Sequence, residues 1–156
     1  MSIQYNQGRY RHIKGYLAAL MVLVWACTLI YALNRNPSAS DSKRKLETMS
    51  QDIDTMLQSG AVVVGRDANS KFGGALLIVR IEKGSWTETV EAKSISTLLG
   101  LGWEPIDKTW KSLCKQEIRV DIEKNPGGDA DLPLVVVAMS YDAATIETCR
   151  QRNDVP

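Results

Sequence analysis

Histidine, phenylalanine and cysteine are scarce: among 156 residues there are one His, one Phe and three Cys. The histidine, His12, lies close to the N-terminus, so the long C-terminal portion has no imidazole. This excludes from that portion triads that use His as base, and zinc sites that need His ligands. Only Cys114 and Cys149 remain there, and two thiolates cannot fill a four-ligand metal site. Glycines fall at Gly65, Gly73-Gly74 and Gly127-Gly128 without forming the G-x-x-x-x-G-K-[ST] phosphate loop. A surplus of basic charge is also missing. Three of the 19 basic residues are Arg9, Arg11 and Lys14, and the remaining 16 face all 18 acids. No broad positive field is left to steer nucleic acid.

What the chain does have is an uninterrupted uncharged run of 19 residues, Gly15 to Leu33. As a helix it would reach roughly 28 Å, close to the ~30 Å hydrocarbon thickness of a bilayer. Tyr16 and Tyr31 suit the aromatic belts at headgroup level. A secretory signal has a shorter apolar region, and Ser38-Ala-Ser40 is a weak cleavage site beside Pro37. Cys27 follows bulky Trp25, which disfavours a lipoprotein signal. The expected organisation is a cytoplasmic tail over 1–14, a transmembrane helix over 15–33, a linker over 34–40 and one domain over 41–156. Basic residues crowd the N-terminal flank, and two cysteines outside the span fit one disulfide in an oxidising compartment. Both place the domain outside the inner membrane, in a bacterial periplasm.

The domain reads as α+β: a mostly antiparallel sheet with helices on one face. Pro37 breaks the membrane helix, and Asp41 or Ser42 caps the next. Leu46, Met49, Ile53 and Met56 share one face of that helix, which either docks on the domain's own sheet or pairs with another helix. Two β-branched runs, 61–66 and 75–81, form a hairpin around a turn-rich loop at 67–74. Ser85-Trp-Thr-Glu88 has the pattern of a capping box for a helix that Gly100 closes. From Trp110 to Glu123 alternation places Ile118, Val120, Ile122, Cys114 and Trp110 on one apolar side. A loop at 125–133 precedes a central strand, 134–139, and Asp142 caps a final helix unless 145–150 is a strand.

Cys114 and Cys149 are the expected disulfide, closing a loop worth roughly 4 kcal/mol. Asp129 and Asp131 lack the further donors of a calcium loop, and Asp52 and Asp54 diverge on their helix. No catalytic residues, cofactor or metal are expected. Trp86, Trp103 and Trp110 are core residues or, with the Leu46–Met56 stripe, a protein-interaction surface. The expected function is that of a single-pass, non-enzymatic envelope protein whose partners are the lipid bilayer and another envelope protein or itself. The alternatives are a tethered immunity or exclusion protein, and a carboxylate-dependent enzyme.

Overall fold

The computed structural model describes residues 7–106, 108, 110–125 and 133–153. It divides into two compact units, residues 1–35 and 36–156. The first is a single helix, α1 (Gln7–Arg35), whose Gly15–Leu33 segment is long and apolar enough to cross a membrane. From Gly15 to Leu33 its side chains are exposed all round, as suits a helix whose solvent is lipid.

The second unit is an α+β domain. Helix α2 (Ala39–Leu57) starts earlier than its sequence suggests, because Ser38 rather than Asp41 or Ser42 is the cap. The Ser38 side chain accepts the Asp41 amide at 3.1 Å, satisfying one orphan N–H of the first turn. The expected linker at 34–40 shrinks to Asn36–Ser38. Strands β1 (Val63–Lys71) and β2 (Gly74–Glu82) form a hairpin closed by Phe72-Gly73 alone. Most of the expected loop at 67–74 is therefore strand. Gly73 takes φ +94° there, a backbone state that favours glycine.

A 3-10 turn leads into α3 (Glu88–Gly100). Thr87, not Ser85, caps it by accepting the Val90 amide. Ser85 Oγ instead donates to Glu82 O and accepts from Val62 N, so the expected capping box does not form. The helix closes at Gly102, with φ +86°, rather than at Gly100. Two-residue β3 (Glu104–Pro105), β4 (Ser112–Lys115), β5 (Ile118–Lys124) and β6 (Leu134–Asp142) complete the sheet, and α4 (Ala143–Asn153) ends the domain. The order β1-β2-β6-β5-β4-β3 is antiparallel throughout. The 134–139 segment is central, as its apolar faces imply.

Alternation sets the core. Leu77, Val79 and Ile81 on β2 register with Met139, Val137 and Val135 on β6, and Val120 and Ile122 continue the layer on β5. All are buried, together with Met49, Ile53 and Met56 of α2 and Leu98 of α3. Each such side chain contributes roughly 1.5–3 kcal/mol on leaving water.

Candidate functional site

The α2 stripe belongs to the interior. Met49, Ile53 and Met56 are fully buried and Leu46 packs against them, so a folded domain does not offer them to a partner. Trp86 and Trp103 are also core, at 6% and 1% exposure. Trp103 has a specific reason to be there: its Nε1 donates 2.8 Å to Asp52 Oδ2, and Lys115 Nζ donates to the same oxygen at 2.7 Å. Asp52 is thus a buried hub joining α2, the α3–β3 turn and β4. Trp86 is buried, and its Nε1 has no hydrogen-bond partner among the described residues.

Trp110 departs from the alternating strand expected over 110–123. It is 43% exposed and has φ 59°. The expected single strand is two, joined by a turn at Gln116-Glu117 with φ 48° and 72°. Across that hairpin Lys115 registers with Ile118, Leu113 with Val120 and Cys114 with Arg119. Counting by twos therefore fails at the turn: Leu113 joins the core face, while Cys114 shares the opposite face with Arg119. Cys114 nonetheless bonds Cys149 of α4, with Cα atoms 5.7 Å apart, and both are buried. Asp142 Oδ1 accepts the amides of Ala144 and Thr145 to cap α4, which settles that segment as a helix.

Several charged groups outside the core are committed to neighbours. Asp121 Oδ1 accepts from Arg119 Nε and Nη2 at 2.9 and 2.7 Å, and from Ser112 Oγ. Glu117 accepts from Arg150. Lys45 donates to Gln116 O at 2.6 Å and lies 5.5 Å above the Tyr141 ring. Burial lowers the Lys45 pKa below 10.5, and burial raises that of Tyr141 above 10.0, with Glu117 adding to the rise. A cavity of about 480 Å³ beside the disulfide is bounded by Glu104, Lys115, Glu117 and Arg150. Among the described residues no three His, Cys, Asp or Glu gather to hold a metal. Asp129 and Asp131 lie outside the described residues.

The surface feature that stands out is β1. It is an edge strand nine residues long, exposed or half-buried along its whole length. Lys71 and Gly74 flank a two-residue turn and so exchange both backbone bonds. By alternation Arg66, Ala68 and Ser70 turn their N–H and C=O outward, where no described strand pairs with them. At the start of the strand Val62, Val63 and Val64 are 49%, 40% and 55% exposed. A register irregularity falls between Val63 and Gly65. Arg66 pairs with Asp54 and Asp67 with Arg80, charges that discourage indiscriminate edge pairing. Sequence reading stopped this strand at Arg66 because an edge exposed on both faces carries no apolar period. The usable signal was the length of β2 and the Gly-Gly pair at the turn. The chain matches no protein-family model, no curated protein and no solved structure.

Proposed function

We propose that this is a single-pass membrane protein whose domain binds another envelope protein, without catalysis, by accepting a strand on β1. The observation that carries this is the long open edge with an apolar Val62–Val64 start. Strand addition supplies affinity through main-chain hydrogen bonds and specificity through alternate side chains. Retention of α1 as an anchor is supported by the way the domain uses the chain next to it. Pro37 is buried and its carbonyl accepts the Gly73 amide at 3.0 Å, while Ser38 caps α2. Cleavage near Ala39 would remove both. The disulfide and the basic N-terminal flank support an inner-membrane protein with its domain in the periplasm.

The test is site-specific photocrosslinking from Val64 of the full chain in its native membrane. A discrete crosslinked partner is expected, and it should vanish with Ala68→Pro, which removes an outward N–H without breaking the β1–β2 ladder. Crosslinking that persists unchanged in Ala68→Pro, or a chain that is strictly alone, overturns the reading.

A further inference from the structure

Among the described residues, the large apolar side chains exposed outside α1 fall at Val62–Val64, Phe72, Leu76 and Trp110. Phe72 is the tip of the β1–β2 hairpin, 51% exposed, and it lines one groove of about 400 Å³ with Leu76, Gly74 and Tyr141. What singles it out is its neighbour. The Gly73 amide is bonded to the carbonyl of Pro37, and Pro37 is only four residues beyond Leu33, the end of the apolar segment. Helix α1 continues to Arg35 at ~1.5 Å per residue, and two further residues span at most ~7 Å. Whatever direction the domain takes, Pro37 lies within about 10 Å of the end of the apolar segment, and the hairpin tip is pinned to it. The headgroup layer is itself roughly 5–7 Å deep on each side.

Two exposed lysines lie close in sequence to the bonded pair Pro37 and Gly73. Lys71 precedes Phe72 and is exposed, and Lys43 is exposed in the first turns of α2, which Ser38 begins. The nearby acids are engaged: Asp41 pairs with Arg44, and Asp142 caps α4. An exposed Phe beside a lysine is a composition that settles at a bilayer interface, the ring at the headgroup boundary and the ammonium group at anionic phosphates.

We propose that the β1–β2 hairpin tip is a second membrane contact, in which Phe72 enters the interfacial zone of the bilayer that holds α1, and Lys71 and Lys43 meet anionic headgroups. This rests on the reading of α1 as a retained anchor. The contact fixes the domain by two points rather than one. It leaves the Val62–Val64 end of β1, some 26 Å along a strand rising ~3.3 Å per residue, away from the tip.

The test uses the full chain in phosphatidylcholine vesicles, with and without a third of phosphatidylglycerol. Nitroxide labels go singly on Cys27, on Phe72→Cys and on Ser96→Cys, an exposed α3 position, the last two in a Cys27→Ser background with the disulfide intact. Accessibility to oxygen and to a water-soluble nickel chelate reads depth. The Phe72 label is expected to show a several-fold higher oxygen-to-chelate ratio than the Ser96 label. It should move toward the Ser96 value when Lys43→Glu and Lys71→Glu are added in anionic vesicles. A Phe72 label as wet as Ser96, with Cys27 in lipid, overturns this proposal alone. Shielding of Phe72 from both reagents assigns the tip to a protein and also overturns it. A water-exposed Cys27 label removes the anchor reading, and this proposal with it.

Discussion

Replacing Asp52 with alanine would leave Trp103 Nε1 buried, and Lys115 Nζ half-buried, without their shared acceptor. A donor left without its acceptor in the interior costs about 1–3 kcal/mol, more when it is charged. Asp52→Ala should lose stability on that scale in urea denaturation of the solubilised chain. Asp52→Leu combined with Lys115→Met should recover much of it, since an apolar pair leaves no stranded charge. Tyr141 and Lys45 set opposite trends in alkali. The raised Tyr141 pKa means the unfolded phenol ionises first, so its contribution is full below pH 10.0 and is lost as pH rises through the folded value. The lowered Lys45 pKa works the other way, its contribution being present above pH 10.5 and lost as pH falls through the folded value. Denaturation on either side of pH 10 should therefore show a shallower alkaline loss in Tyr141→Phe and a steeper one in Lys45→Met. At this scale the sequence was partly legible. Counting thiols identified Cys114–Cys149, whereas Asp52 was weighed only against Asp54: a carboxylate on an apolar stripe reveals nothing of its role until its two donors arrive from sequence positions far away.

The elements were easier to read than their ends. The spacing of Met49, Ile53 and Met56 marked α2 because a 3.6-residue period reports burial directly. Its cap was misplaced because Ser38, Asp41 and Ser42 are all plausible caps locally, and the Pro37–Gly73 contact that anchors the entry is long-range. The β4–β5 hairpin was read as one strand because Gln116-Glu117 does not resemble a turn. Both residues sit at positive φ, where a side chain costs roughly 1–2 kcal/mol and where Asn or Gly is usual. Gln116→Asn should accordingly stabilise the domain by about 0.5–1 kcal/mol, measurable as a higher urea midpoint with an unchanged slope. That same unmarked turn reversed the face assigned to Cys114.

For the whole molecule, the α+β class and the apolar N-terminal helix were legible from pattern alone, while strand order was not. Reducing Cys114–Cys149 releases a closure spanning 35 positions and should cost about 4 kcal/mol. Comparing denaturation with and without reductant measures it. The order β1-β2-β6-β5-β4-β3 has a further consequence. Among the described residues every other strand pairs with its immediate predecessor or successor, so β2 with β6 is the one ladder there joining the early half of the sheet to the late half. The disulfide lies wholly within the late half and gives that seam no help. A chain emerging N-terminus first must carry one bare flank of β2 until Leu134 onward has been made. Two fragments divided between α3 and β3 should therefore recombine along this seam, whereas a cut inside either meander should not heal.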